Sequence, residues 1–214
     1  LYINIIKHMI LLIDCSKGLR LIIGNKQRIL ANKSKPRLKK VSERLILEIK
    51  ILLDSINEDY QNLSKIIVIN GPGSFTGIRT SITAAKVLGL SLNIPVCGIS
   101  LFELLWINYL KTKTKKNLKF LVQLNKYNYF TQNVLKSGKK SKIILESFST
   151  NLQNKSKDVD LVFLDYISVK TMSRKVNYKE EIITINDLFA NTYKDLKNLS
   201  EKKYIPSPIY VKTF

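Results

Sequence analysis

At 214 residues, 45% hydrophobic and 24% charged, the chain has the balance of a globular protein and room for one compact domain or two small lobes, which excludes a disordered segment. No apolar run approaches the ~18 residues of a membrane helix. Met9–Ile13 stops at Asp14, too short for a secretory core, so a soluble cytoplasmic protein with no membrane contact is expected. The formal charge of +20 would attract any polyanion, but lysine, asparagine and isoleucine crowd the whole chain, so charge permits an RNA partner without identifying one.

In chain order, residues 1–8 read as an N-terminal extension ahead of Met9. Ile10–Asp14 and Leu19–Gly24 then read as buried strands, and Gly24-Asn25 turns into a third strand over Gln27–Ala31. A long helix is expected from Leu38 to about Asn57, after Pro36. Lys65–Asn70 is a buried strand, the glycine-rich turn 71–77 opens a helix to Leu92, and Pro95 sets up a strand over Val96–Ile99 and a helix over Ser100–Leu110. Beyond the lysine run at 111–119, strands are expected over Phe120–Leu124, Tyr129–Leu135, Lys142–Phe148, Asp160–Asp165 and Ile182–Ile185, with a helix over Asp187–Leu199. The second half thus reads as a looser copy of the first: an α/β chain of two related lobes, 9–110 and 118–214, each a mixed sheet flanked by helices, the second small or degenerate.

Charge is uneven along this pattern. Between Ile66 and Leu110 only Arg79, Lys86 and Glu103 carry it. On the first helix, counted at about 100° per residue, Leu38, Val41, Leu45, Ile49, Leu52, Leu53 and Ile56 form an apolar stripe while Leu47 and Ile51 stand on the opposite side among Lys40, Glu43 and Asp54. On the second, Ile78, Ile82, Ala85, Leu88, Gly89 and Leu92 form the core face, and the reverse carries Thr80, Thr83, Ala84, Val87, Leu90 and Ser91 without a charge. A helix neutral all round is covered on both sides. Either the chain's own second lobe covers it, or a partner does, with Ala84 and Ser91 small enough for close helix approach.

Material for catalysis is scarce. The single histidine is His8, and the two cysteines, Cys15 and Cys97, have no paired spacing, so a disulfide framework, a zinc site and histidine-based triads are all disfavoured. Asp14 closes its strand either as a cap for Ser16 or as a carboxylate near a phosphate. The loop Gly71-Pro-Gly-Ser-Phe-Thr-Gly77 suits an anion chemically, through Gly71, Gly73 and Gly77 at a helix start, Ser74 and Thr76 as caps, and Arg79 one turn on. Its spacing fits neither the dinucleotide fingerprint nor a P-loop, and a purely structural turn explains it equally.

Taken whole, Gly71-Pro-Gly-Ser-Phe-Thr-Gly-Ile-Arg79, with Ala84-Ala-Lys-Val-Leu-Gly89, Ile94-Pro95, Gly98-Ile-Ser100, Ile10–Ser16 and Pro208-Ile-Tyr-Val211, resembles the TsaB family of glycoprotease-like proteins, strongly over Met9–Leu105. The resemblance implies a two-lobed actin-like fold. It further implies a non-catalytic accessory subunit that stabilises a TsaD-like catalytic subunit through two first-lobe helices, alongside a TsaE-like ATPase, in modifying the adenosine beside a tRNA anticodon. By the same likeness tRNA is met through the complex. A homodimer through the same helices is a further alternative, and no cofactor is expected, with a nucleotide at the partner interface left open. TsaD, similar in pattern, carries a His-x-x-x-His metal pair where this chain has Leu101 and Leu105, and leucine has no donor atom, which disfavours protease activity. Asn125-Lys126-Tyr127 departs from the family's Asp-Ala-Arg segment. The alternative from another class is an actin-like ATPase or kinase using Asp14 and the glycine loop.

Overall fold

A computed structural model describes residues 8–36, 38, 40–111, 116–125, 128–147, 159–164 and 180–211. Contacts divide the chain into two units, Leu1–Glu103 with Phe189–Tyr210, and Leu104–Leu188 with Val211–Phe214.

The first unit is built on a five-stranded sheet in the order β3-β2-β1-β4-β5. Strand β1 (Met9–Asp14) is buried along its whole length and pairs antiparallel with β2 (Leu19–Gly24), which pairs antiparallel with β3 (Ile29–Lys35). On its other side β1 runs parallel to β4 (Leu63–Ile69), and β4 parallel to β5 (Val96–Ile99). Strand alternation sends Leu11, Ile13, Ile66 and Val68 toward one face, where they meet Leu45, Ile49 and Leu53 of α1 (Val41–Asp54) and Ile78, Ile82 and Ala85 of α2 (Phe75–Leu92). Ile10, Leu12, Ile22 and Ile67 point the other way and are equally buried, so the central strands read as unbroken apolar runs.

Helix α1 begins later than its sequence suggests because Lys40 adopts a left-handed conformation, φ 55° and ψ 49°, which a right-handed helix cannot include. Helix α2 is cleanly bounded: Ser74 accepts the Gly77 N–H at its start, and Asn93 turns left-handed at its end.

The second unit repeats the plan. Its sheet runs β10-β9-β6-β7-β8. Strands β6 (Asn117–Gln123), β7 (Asn128–Val134) and β8 (Ile144–Ser147) form an antiparallel meander, and β9 (Val159–Leu164) and β10 (Glu180–Ile183) add in parallel on the other side of β6. Read from β8, this is the strand order and direction of the first sheet, as the two-lobed reading requires. Helices α3 (Leu101–Leu110) and α4 (Ile185–Asn198) each contain a point where the division falls. Among the described residues no helix is long and apolar enough to cross a membrane.

The linear reading assigns everything after residue 118 to the second lobe, whereas contacts give Phe189–Tyr210 to the first unit. The reason is a set of non-local bonds. Lys65 Nζ on β4 donates to the carbonyls of Leu196, Lys197 and Leu199 at the end of α4, where a cation complements the helix dipole. Glu201 accepts the Val96 N–H at 2.6 Å, Gly98 N–H bonds Tyr204 O at 2.8 Å, and Ile209 N–H bonds Asn70 O at 2.8 Å.

Candidate functional site: the outer face of the first two helices

With Leu45, Ile49, Leu52 and Leu53 of α1 turned inward, 3.6 residues per turn force Leu47 and Ile51 outward, and both are exposed. Ile46 joins them, which the angular count did not include. On α2, Ile78, Ile82, Ala85 and Gly89 are buried while Val87 is 61% and Leu90 86% exposed. Thr83 and Ser91 are exposed beside them, and Thr80 and Ala84 are half-buried. Lys86, also exposed, borders this surface.

Below the face, α1 is pinned by a group the sequence reading did not single out. Glu48 is fully buried, and its carboxylate meets Lys33 Nζ at 3.0 Å and Lys35 Nζ at 2.6 Å, both from β3, with Arg44 Nε at 3.8 Å. The hydrogen bond from Lys35 holds the Glu48 carboxyl below its ordinary value, against the opposing effect of burial. The signal was available: Glu48 falls within the stripe of Leu45, Ile49 and Leu52, where an acid needs a partner.

Nearby, the glycine loop is accounted for by close backbone passages. Gly71 has φ +133°, and a Cβ there would lie 2.6 Å from Ile209 O, so the C-terminal segment requires its absence. A side chain at Gly77 would run into Cys15 O, and one at Gly73 into Ser16. Ser74 N–H is taken by Ser16 O at 2.7 Å, and Thr76 is exposed. Asp14, buried, accepts the Ser16 N–H at 2.8 Å and lies 3.3 Å from Arg20 Nη2. Arg79 places its guanidinium 5.0 Å over the Phe75 ring, which stacks 5.0 Å from Tyr210.

Both thiols are buried. Burial, then the Asp14 charge, pushes Cys15 up to about 12, and burial pushes Cys97 up as well, so neither is a thiolate at neutral pH. Leu101 and Leu105 are buried. Among the described residues, no group of three or more His, Cys, Asp or Glu side chains is placed to hold a metal. Asn125 accepts the Asn128 N–H in the β6–β7 turn, whereas Lys126 and Tyr127 lie outside the described residues.

The family model described as TsaD, tRNA N6-adenosine threonylcarbamoyltransferase, matches residues 29–117. Two curated relatives are both described as tRNA threonylcarbamoyladenosine biosynthesis protein TsaB. That of Bacillus subtilis is 43% identical over 67 residues, 31% of this chain and 29% of the relative. That of Buchnera aphidicola is 34% identical over 107 residues, 48% of this chain and 51% of the relative. The chain thus spans about half, or less, of the curated relatives it matches. Among solved structures, an uncharacterized Pseudomonas aeruginosa protein with similarity to peptidase YeaZ superposes with a TM-score of 0.61 at 16% identity, over 96% of this chain and 100% of that one. A Bacteroides thetaiotaomicron protein with actin-like ATPase fold superposes with a TM-score of 0.52 at 10% identity, over 86% and 93%. The quoted motifs and these sequence matches make the chain similar to TsaB proteins over part of its length, and the structural matches show an actin-like fold.

Proposed function

We propose that this chain is a non-catalytic accessory subunit of the machinery that forms threonylcarbamoyladenosine in tRNA, and that it docks a TsaD-like catalytic subunit through the outer faces of α1 and α2. The observation that carries the reading is the exposure of Val87 and Leu90 on a helix whose other side is core. A single exposed leucine needs no explanation, but Leu47, Ile51, Val87 and Leu90 form a surface on two adjacent helices, and such patches mark interaction sites. Covering a valine or leucine gains about 1.5–3 kcal/mol each. A standard stable interface needs ~800 Å² per partner.

The description shared by the curated relatives supplies the pathway. Leucine at 101 and 105 leaves those positions no metal donor, which favours an accessory role over a catalytic one. On this reading a TsaE-like ATPase and tRNA are met through the catalytic subunit, and a second copy of the chain is the competing occupant of the same face. The ATPase alternative is weakened because the Asp14 carboxylate already faces Ser16 N–H and Arg20.

The test is size-exclusion co-elution with purified TsaD, using Ala84→Arg and Val87→Glu. Both variants are expected to elute apart from TsaD while keeping the wild-type circular dichroism, and Val87→Glu, at an exposed position, the wild-type Tm as well. Unchanged co-elution would remove the helix face from the proposal.

A further inference from the structure

We infer that the second unit carries a pocket for single-stranded nucleic acid, in which one base stacks on Trp106 and the backbone phosphates lie among the lysines of the β7–β8 turn. The pocket, of about 140 Å³, is lined by Trp106, Tyr109 and Leu110 of α3, Leu118 of β6, Val134, Leu135, Lys136 and Lys116, the last paired with Asp160 at 3.1 Å. It lies wholly within the second unit, so the inference is independent of the helix face in the first.

The turn explains the arrangement. Leu135 N–H bonds Lys139 O at 2.9 Å and Gly138 N–H bonds Leu135 O at 2.8 Å, with Gly138 at φ +84°, a conformation suited to glycine. This closes Leu135–Lys139 into a compact tip and brings Gly138 close to the Trp106 ring, where a Cβ would already be in contact. Lys140 Nζ lies 5.0 Å from the Trp106 ring centroid, so the electron-rich face of the indole is reachable by a cation. Lys140 is not among the residues that line the recess, so a base seated there meets Trp106 without displacing the Lys140 ammonium.

Size and charge select the ligand class. Drug-sized ligands fill roughly 300–1,000 Å³, so this pocket admits one ring system and little more. The lysines extend well past it: Lys136, Lys139 and Lys142 are exposed and, among the described residues, have no ion-pair partner. A small recess for one ring beside a spread of cations fits a polymer with a ring and a negative charge at every step. Duplexes keep their bases inside, so a single strand is required.

Trp106 is the only tryptophan, so intrinsic emission reports on this site alone. The full chain is titrated with an oligoadenylate of about twelve nucleotides at about 0.15 M salt, within the usual span of a single-strand site. Saturable quenching is expected, with the matching duplex leaving emission unchanged. Lys136→Glu combined with Lys139→Glu should weaken binding at least about tenfold, while the same charge change at Lys26 and Arg28 on the β2–β3 turn costs under about threefold. Trp106→Phe, which keeps an aromatic ring in the recess, should weaken a labelled oligonucleotide by at least about threefold in anisotropy. Equal binding of the deoxy strand supports a general single-strand site, and stronger binding of the ribo strand supports one that reads the 2′-hydroxyl. The proposal is overturned by unchanged emission at anisotropy saturation, by equal losses in the two charge-reversed pairs, by equal quenching with duplex, by quenching with polyglutamate alone, or by no binding.

Discussion

Apolar side chains reach solvent in two places that differ in their surroundings. On the outer face of α2, Val87 and Leu90 sit in a surface whose nearest charge in sequence is Lys86, and on α1 Leu47 and Ile51 stand among the exposed and oppositely charged Glu43, Lys50 and Asp54, although the chain carries a net +20. Around Trp106 the apolar surface is recessed and ringed by lysines. The basic residues nearest α1 are also treated differently: Lys33 and Lys35 are drawn onto the buried Glu48, whereas Lys136 and Lys139 have no acid beside them among the described residues. The contrast teaches that exposed apolar area alone does not name a partner. A neutral surface attracts by desolvation and shape, and a lysine-ringed one draws anions from a distance.

The largest expected effect breaks the contrast at Glu48. Breaking a fully buried ion pair costs about 3–5 kcal/mol, and Lys33 and Lys35 retain some access to water, so Glu48→Ala should cost about 2 kcal/mol in urea unfolding. A carboxyl held below its ordinary value of 4.5 contributes stability above that pH and loses it as pH falls through the lower, folded-state value. The wild type should therefore lose stability below about pH 4.5 more steeply than Glu48→Ala. An unchanged Cm would mean that Lys33 and Lys35 are as idle as the lysines of the β7–β8 turn.

The next effect sharpens the contrast with salt. Raising NaCl from about 50 to 200 mM should lower oligonucleotide affinity at the Trp106 pocket at least about tenfold, as counterion release requires. The complex proposed to form through α1 and α2 should change less than about threefold over the same range, because little charge lies within its apolar centre. Isothermal titration at the two salt concentrations measures both. Parallel losses would mean that the two surfaces work by one mechanism.

Much of this was legible locally. Leu19–Gly24 and Val96–Ile99 appear at the expected bounds because each is a buried run closed by glycine or proline chemistry. The outward direction of Leu47, Ile51, Val87 and Leu90 follows from helical period alone. Where the answer depends on a distant segment, local reading stops. The third strand was expected over Gln27–Ala31 and runs over Ile29–Lys35, because an edge strand alternates polar residues and its lysines are held by Glu48, 13 and 15 positions on. The glycines at 71 and 77 suit an anion as well as a crossing chain, and only Ile209 and Cys15, brought in by the fold, show what they pass. The same holds for Lys65, which reads as the first residue of a strand and caps a helix more than a hundred residues later.

The smallest effect lies at the border of the neutral face. Lys86 is exposed one position before Val87, and at about 100° per residue its side chain points to the margin of the patch. A charge at the rim of an interface stays hydrated in the complex, so its removal changes encounter more than residence. Lys86→Glu should alter the on-rate for TsaD by less than about threefold, leave the off-rate unchanged, and lose even that effect in about 1 M salt, where the Debye length falls to about 3 Å. Val87→Glu, one residue on, places a charge where water is to be expelled and should act mainly through the off-rate. Surface plasmon resonance separates the two. If Lys86→Glu raised the off-rate as much as Val87→Glu, the buried centre of the contact would include the lysine, and the outer surface of α2 would have to be treated as a charged interface.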